Sequence, residues 1–118
     1  MSSISQALYE LLNDSETPVD AVLSRHFTDD YRQSTNGEWV DRAGFAQQME
    51  YLRSGIDGAD FEVLAEAAQG DVYAERHIVR VTQNDGTVAA QEAFIFAELA
   101  PDGRFRQLEE LTRPITEE

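Results

Sequence analysis

Three titratable side chains in the second half of the chain could carry proton chemistry, namely His77, Glu92 and Glu110. Each lies in a segment that is otherwise rich in apolar, strand-forming residues. Burial against such a surface raises the pKa of a carboxyl group and brings it into the range in which acids and bases work. A histidine that is hydrogen-bonded to a glutamate can equally be a structural pair, and a glutamate at a cavity mouth can simply reach solvent.

Three consecutive strands are predicted to position these residues, over 71–83, 87–100 and 104–113. Asn84-Asp85-Gly86 and Pro101-Asp102-Gly103 separate the strands. Both tripeptides predict tight hairpins, because glycine supplies the positive φ that a sharp reversal of the chain needs. A sheet of this kind has two faces, and neither face is purely apolar here.

The register of these strands decides which side chains share a face. A two-residue turn at Asp85-Gly86 pairs Asn84 with Thr87, and a three-residue loop in the second hairpin pairs Ala100 with Arg104. Counting back from these pairs gives one face that carries the aromatic and long apolar residues, and we expect it to line a pocket. Its members are Tyr73, Glu75, His77, Val79, Val81, Ala90, Glu92, Phe94, Phe96, Glu98, Arg106, Leu108, Glu110 and Thr112.

The opposite face mixes small apolar residues with arginines and is expected to pair with a second copy of the chain, giving a homodimer. A slip of one residue in the first hairpin would instead bring Arg76 and Arg80 beside Phe94 and Glu92. The apolar members of the expected dimer face are Ala93, Ile95, Ala97 and Leu111.

On the predicted register, His77, Phe94 and Glu110 lie side by side across three strands. The aromatic side chains around them are expected to hold a small molecule, with Tyr31 and Trp39 at the pocket mouth. The residues predicted to bind substrate are Tyr9, Tyr31, Trp39, Tyr73, Phe94 and Phe96.

Helical elements are predicted ahead of these strands. Helices followed by an antiparallel meander are typical of an α+β domain, and three helices on one face of a curved sheet would enclose an apolar cone. The predicted elements are a helix over 4–13 capped by Ser3, a helix capped by Thr17 that runs to about residue 27, a short strand at Tyr31 that turns at Asn36-Gly37, a helix over 42–53 capped by Asp41, and a strand over 61–69.

Composition excludes several classes of function. The net charge of −14 repels nucleic acid and anionic lipid, so we expect neither as a partner. The chain has no Cys and no Lys, which excludes disulfides, thiolate catalysis and lysine Schiff bases. Two His without metal-ligand spacing predict no metal, and we expect no cofactor. With no secretory signal and no apolar run of about 18 residues, the expectation is one cytoplasmic domain over 1–118.

Two stretches resemble the nuclear-transport-factor-2-like superfamily, which includes SnoaL-like polyketide cyclases and ketosteroid isomerases. They are DDYRQSTNGEWVDRAGFAQQMEYLR at 29–53 and QEAFIFAELAPDGRFRQLEELTR at 91–113. The second stretch is similar to the closing strands of these proteins. The resemblance implies a cone-shaped α+β barrel with three N-terminal helices packed on a curved antiparallel sheet, an internal pocket, and a dimer through the sheet.

When the functional residues of these families are matched to this sequence position by position, the resemblance implies the same scaffold without its usual general base. The general-base Asp of ketosteroid isomerases falls at Gln33-Ser34-Thr35, where there is no carboxylate. Their oxyanion-hole acid precedes an aromatic-x-aromatic run and matches Glu92, while Tyr9 loosely matches their oxyanion-hole Tyr. The His of polyketide cyclases is absent near residue 34, and their late-strand acid corresponds to Glu109 or Glu110.

Three functions follow as alternatives. The first is an enzyme for isomerisation, cyclisation, dehydration or hydrolysis of a small molecule, with His77, Glu92 and Glu110 carrying protons and Tyr9 or Tyr31 donating a hydrogen bond to substrate. The second is a non-catalytic module that binds a hydrophobic or carboxylate ligand in the same pocket. The third is a dimeric protein that binds a partner through its open sheet face.

Overall fold

The computed structural model, which describes residues 3–117, has three helices and six strands. Two helices come first, a β-hairpin and a third helix follow, and four long strands complete the chain. In chain order the elements are α1 (Ile4–Asn13), α2 (Val19–His26), β1 (Phe27–Thr35), β2 (Glu38–Asp41), α3 (Arg42–Gly55), β3 (Ile56–Gln69), β4 (Val72–Gln83), β5 (Val88–Leu99) and β6 (Phe105–Ile115).

Side-chain caps begin two of the helices, as predicted. The Ser3 hydroxyl accepts a hydrogen bond from the Gln6 N–H at 3.0 Å, and Asp41 accepts one from the Gly44 N–H at 2.8 Å. The predicted cap of α2 was wrong. Pro18 occupies that position, because the Thr17 hydroxyl instead donates to Asp14 in the preceding turn at 2.6 Å. No helix in residues 3–117 is long and apolar enough to cross a membrane.

The strands form one curved, mixed sheet in the order β2-β1-β6-β5-β4-β3. The predicted antiparallel run of consecutive neighbours is confirmed for β4 to β6, β3 adds to it beside β4, and β1 and β2 pair across the Asn36-Gly37 turn. β1 runs parallel to β6, which the sequence analysis did not predict. β2 and β3 remain sheet edges, so helices rather than strand pairing complete the cone.

β3 begins five residues earlier than the alternation predicted, at Ile56. The segment around Gly58 pairs with the end of β4 through a register shift. A side chain at Gly58 would meet the Asn13 amide oxygen at 3.0 Å, and that amide bonds both the N–H and the C=O of Ala59. The glycine therefore permits the close approach that ties α1 to β3.

The register of β5 differs from the prediction by one residue. The Gln83 N–H donates to the Thr87 carbonyl at 2.8 Å, so the first loop has three residues and not two. Asp85 stabilises this longer loop by accepting hydrogen bonds from the Thr87 N–H and hydroxyl. His77 consequently pairs with Ala93 instead of lying beside Phe94. The one-residue slip considered as an alternative is the register that the structure has.

This shift exchanges the two faces of β5. The inner face, which the helices cover, carries Ala93, Ile95, Ala97 and Leu99, and all four belong to the hydrophobic core. The prediction that three of them form a dimer surface was therefore wrong. On β6 the predicted Ala100–Arg104 pairing is confirmed, and a register shift at Arg106 keeps Leu108, Glu110 and Thr112 on the inner face as predicted. The outer face carries Arg76, Glu92, Phe94, Phe96, Leu111 and Arg113.

Candidate functional site

A cavity of about 760 Å³ lies between the helices and the inner face of the sheet. Its size falls in the range of small-molecule binding sites. Most of its lining is apolar and comes from α1, α3 and the inner-face residues of β4 and β5. Several polar side chains interrupt this surface, and two hydrogen-bonded groups among them matter here, one on β4 and the other on β1 and β6.

The group on β4 centres on Glu75 and His77. Alternate residues of a strand share a face, so both side chains turn inward, where their exposures are 3% and 2%. Glu75 Oε2 lies 2.5 Å from His77 Nδ1, and Glu75 Oε1 accepts a hydrogen bond from the Ser5 hydroxyl at 3.3 Å. Burial alone would raise the pKa of Glu75, but hydrogen bonds from His77 and Tyr73 outweigh burial and lower the pKa. Glu75 is therefore ionised at neutral pH.

The ionised carboxylate fixes the tautomer of His77. A carboxylate only accepts hydrogen bonds, so Nδ1 must carry the proton and donate it to Glu75. Whenever the ring is neutral, Nε2 keeps its lone pair, and no side chain among residues 3–117 hydrogen-bonds it. The Phe61 ring meets the imidazole edge-on at 5.2 Å between centroids. His77 is thus held rigidly in the cavity wall with a basic nitrogen available.

The second polar group centres on Glu110 of β6. The Thr35 hydroxyl donates to Glu110 Oε1 at 2.9 Å, the Gln33 amide donates to the Thr35 hydroxyl at 3.4 Å, and Tyr31 donates to Gln33 at 2.7 Å. Burial raises the pKa of Glu110, and the bond from Thr35 and the charge of His77 only partly oppose the increase. Burial, with the nearby Glu110 charge, also raises the pKa of Tyr31. Both Glu110 and Tyr31 therefore keep their protons to a higher pH than the free side chains do.

β5 separates the two polar groups. His77 pairs with Ala93, and Ala93 pairs with Thr112. Glu110 lies two residues before Thr112 on β6 and therefore shares its face. Two strand spacings place the backbones of β4 and β6 about 10 Å apart. Because Ala93 is small, a ligand can lie between the imidazole and the carboxyl group.

No protein-family model and no curated protein matches the chain, whereas solved structures do. An NTF2-like protein of unknown function from Exiguobacterium sp. 255-15 aligns over 98% of this chain and 100% of its own, with 20% identity and a TM-score of 0.71. IdmH from Streptomyces antibioticus, a candidate polyketide cyclase, aligns over 90% of this chain and 86% of its own, with 17% identity and a TM-score of 0.71. A candidate isomerase of the SnoaL-like family from Agrobacterium tumefaciens aligns over 93% of this chain and 94% of its own, with 18% identity and a TM-score of 0.64.

The chain has the NTF2-like fold. The resemblance noted in the sequence is thus confirmed at the level of architecture. At these identities the NTF2-like fold does not determine the chemistry, which has to be argued from the side chains that line this particular cavity.

Within the NTF2-like cone, three predicted site residues line the cavity: His77, Glu110 and Tyr31. Tyr73 is buried beside them, but its hydroxyl bonds Glu75 and Glu66. Their placement agrees with the sequence analysis, while their roles stay predictions.

Tyr9 and Trp39 do not line the cavity. Tyr9 is exposed on α1, on the side away from Leu8 and Leu12, which do line it. Trp39 is exposed on β2, where the Arg32 guanidinium stacks over its ring at 4.3 Å. Trp39 alternates along its strand with Glu38 and Val40, which turn inward, and Tyr9 lies off the inward-facing side of its helix, so neither lines the cavity.

Glu92, Phe94 and Phe96 were predicted to face the pocket, and this placement was wrong. The three-residue loop at 84–86 turns them to the outer face. Glu92 is buried there between two guanidinium groups, with Arg113 Nε at 2.7 Å and Arg76 Nε at 3.5 Å.

Sequence reasoning missed Glu75, Gln33 and Thr35 as site residues. Glu75 was assigned to the pocket face but given no role, although its spacing of two from His77 already predicts contact on one face. Gln33 and Thr35 alternate with Tyr31 in the same way. Among the described residues no group of three or more His, Asp or Glu side chains could hold a metal ion.

Proposed function

We propose that this protein is a cofactor-independent enzyme that transfers protons on a neutral, largely apolar small molecule. One observation carries the proposal. An imidazole held by an ionised glutamate and a carboxyl group with a raised pKa face the same cavity from opposite sides of β5. Pairs of titratable groups whose environments differ in this way are typical of acid/base sites.

His77 is the proposed general base. Its Nε2 lone pair takes a proton from a carbon next to a substrate carbonyl, and the ring becomes an imidazolium. Glu75 stabilises that positive charge through the Nδ1–H bond. Because both side chains are almost completely buried, the stabilisation acts in a low-dielectric interior where it is stronger than in water.

Glu110 is the proposed general acid. As the C–H bond breaks, its electrons move towards the carbonyl, and the carbonyl oxygen takes the Glu110 proton to give an enol. Return of the proton from His77 to another carbon, and of the enol proton to Glu110, completes an isomerisation. Attack of the enol carbon on a second carbonyl of the same molecule would close a ring, with the His77 proton passing to the second oxygen and the enol proton returning to Glu110 as the first carbonyl re-forms.

The charge around the cavity favours a neutral substrate. None of the described lining residues is an arginine, the chain has no lysine, and its net charge is −14. A carboxylate or phosphate ligand would therefore meet no cation other than protonated His77. This argues against the carboxylate ligand considered from the sequence.

A non-catalytic binding module is the second candidate. The position matching the base of ketosteroid isomerases, Gln33-Ser34-Thr35, has no carboxylate, and the rest of the lining is mostly apolar. In this alternative the two polar groups would orient a neutral ligand by hydrogen bonds alone.

Deuterium exchange separates the candidates. The protein is incubated in D2O with a panel of neutral aryl ketones and cyclic enones, and label next to the carbonyl is measured by mass spectrometry. We expect exchange that His77→Gln and Glu110→Gln abolish, while Glu109→Gln, at an exposed neighbour of Glu110, retains it. Binding of a panel member without exchange would favour the binding module and contradict the enzyme.

A further inference from the structure

The polar group around Glu110 is a series of three hydrogen bonds that all run in one direction. The Tyr31 hydroxyl donates to Gln33 Oε1, and Gln33 Nε2 donates to the Thr35 hydroxyl oxygen. The Thr35 hydroxyl in turn donates to Glu110 Oε1. Tyr31, Gln33 and Thr35 alternate along β1 and share its inner face. Because Thr35 pairs with Glu110 across the parallel β1–β6 ladder, the series ends at the carboxyl group.

Tyr31 begins the series, and its proton has one place to go. The side chain is 1% exposed, and its ring packs against Phe27 at 4.5 Å and Phe45 at 5.5 Å between centroids. Within residues 3–117, the only hydrogen-bond partner of its hydroxyl group is Gln33 Oε1. A buried donor without an acceptor is costly, so the tyrosine proton requires that Gln33 turn its oxygen, and not its nitrogen, towards Tyr31.

The orientation of this one amide fixes the bonds that follow. With Oε1 facing Tyr31, Gln33 Nε2 faces Thr35, and an amide N–H can only donate. The Thr35 oxygen accepts that bond, and its own proton goes to Glu110 Oε1. A reversed bond from Glu110 to Thr35 would leave the Thr35 proton without an acceptor among the described side chains. Glu110 Oε1 is therefore an acceptor in both protonation states, and the proton of the neutral carboxyl group lies on Oε2.

Glu110 Oε2 is the oxygen that a ligand can reach. Glu110 lines the cavity, and in the described part of the chain no side chain hydrogen-bonds Oε2, whereas Thr35 occupies Oε1. A proton on Oε2 can pass to a substrate carbonyl. A proton on Oε1 would point at Thr35 and leave only lone pairs towards that carbonyl. The choice of oxygen thus decides whether Glu110 can act as an acid.

We propose that Tyr31 is a positioning residue that acts through Gln33 and Thr35 to hold the Glu110 proton on the oxygen that faces the substrate. Tyr31 then serves the reaction indirectly, in place of the direct hydrogen bond to substrate that the sequence suggested. The inference deepens the proposed function, on which it rests, because it explains how the proposed acid offers its proton to a neutral carbonyl compound.

The test is infrared spectroscopy of the apo protein, because the C=O stretch of a protonated carboxyl group falls in frequency when its carbonyl oxygen accepts a hydrogen bond. Spectra at acid and neutral pH are subtracted, and the Glu110 band is the one that Glu110→Gln lacks. In wild type the carbonyl oxygen is Oε1, which accepts from Thr35. Tyr31→Phe removes the hydroxyl group that fixes the direction, so the series can reverse and the proton can move to Oε1. We expect the Glu110 band to shift to higher frequency in this variant.

Tyr73→Phe is the matched control, because Tyr73 is similarly buried and its hydroxyl bonds Glu75 and Glu66 outside the series. It should leave the frequency of the Glu110 band unchanged. Gln33→Leu breaks the series at a second point and should shift the band as Tyr31→Phe does, which keeps the test decisive even if Tyr31→Phe failed to fold.

The wild-type frequency in either Tyr31→Phe or Gln33→Leu would overturn the proposal. Absence of a Glu110 band at every pH at which the protein stays folded would also overturn it. The spectra need no substrate, so an unshifted band would leave the deuterium-exchange test of His77 and Glu110 unaffected. Absence of exchange in wild type would instead contradict the proposed enzyme without moving the band, and the two failures are distinguishable.

Discussion

His77 Nδ1 and Glu75 Oε2 approach to 2.5 Å inside the protein, and Tyr73 bonds the other oxygen of the same carboxylate. A buried charge of this kind is tolerated because its oxygens are hydrogen-bonded. The pair therefore contributes to folding as well as to the proposed chemistry, and the two contributions can be measured separately.

Glu75→Gln should lower the free energy of unfolding by about 1–3 kcal/mol at neutral pH, the cost of weakening a buried hydrogen-bonded charge. The lowered pKa of Glu75 contributes stability above its ordinary value of 4.5, and that stability is lost as the pH falls through the lower folded value. Urea unfolding of the variant should therefore show a shallower decline at acid pH than wild type. Equal slopes in the two proteins would contradict this.

Glu110→Gln should have the opposite effect at neutral pH. A carboxyl group with a raised pKa binds its proton more tightly when folded, so wild type loses stability as the pH rises above the ordinary value of 4.5. The amide cannot ionise and still accepts from Thr35. We expect a higher melting temperature than wild type at neutral pH and no gain below about pH 4.5, with Glu109→Gln showing neither effect.

Ala93→Leu should close the space between His77 and Glu110. The added atoms project into the cavity, so we expect normal folding but loss of fluorescence from Nile red, a neutral apolar dye, in titrations with the protein. Ala90→Leu is the control on the same strand, because Ala90 pairs with Arg80 on the outer face. Equal dye binding by the two variants would place the ligand elsewhere.

The outer face is the surface that we propose for a homodimer. Phe96 and Leu111 are 61% and 65% exposed on neighbouring strands, and Phe94 adds to the same patch. Light scattering should give a dimer that Phe96→Glu dissociates and that weakens at low salt, since the acidic chains repel each other. Tyr51→Glu, at an exposed aromatic on α3, should stay dimeric. A wild-type mass near 13.3 kDa would refute the interface.

Local signals in the sequence predicted most of the elements. The caps at Ser3 and Asp41 correctly predicted the starts of α1 and α3, and the consecutive hairpins correctly predicted the strand order from β4 to β6. The parallel pairing of β1 with β6 could not be predicted, because side-chain alternation within a strand says nothing about which distant strand becomes its neighbour.

The site was predicted only in part for a different reason. His77, Glu110 and Tyr31 were assigned to the cavity correctly. The inward faces of β4 and β1 do not depend on the length of the first hairpin loop, and the register shift at Arg106 keeps Glu110 on the inner face of β6. Glu92 was misassigned because Asn84-Asp85-Gly86 is compatible with loops of two or three residues. The hydrogen bonds from the Thr87 N–H and hydroxyl to the Asp85 side chain favour the longer loop, and the residue types in the turn did not distinguish the two lengths.

The 84–86 loop is therefore less free to change length than most surface loops. Removing one residue there would shift the register of β5 and turn all of its side chains to the opposite face of the sheet. It would drive a carboxylate and two phenylalanines into the space above His77 and expel two alanines and an isoleucine to the outside. For this chain, insertions and deletions at an exposed hairpin tip would abolish the cavity as surely as a substitution beside His77, while replacements that preserve the three-residue length and keep Asp85 and Gly86 would be tolerated.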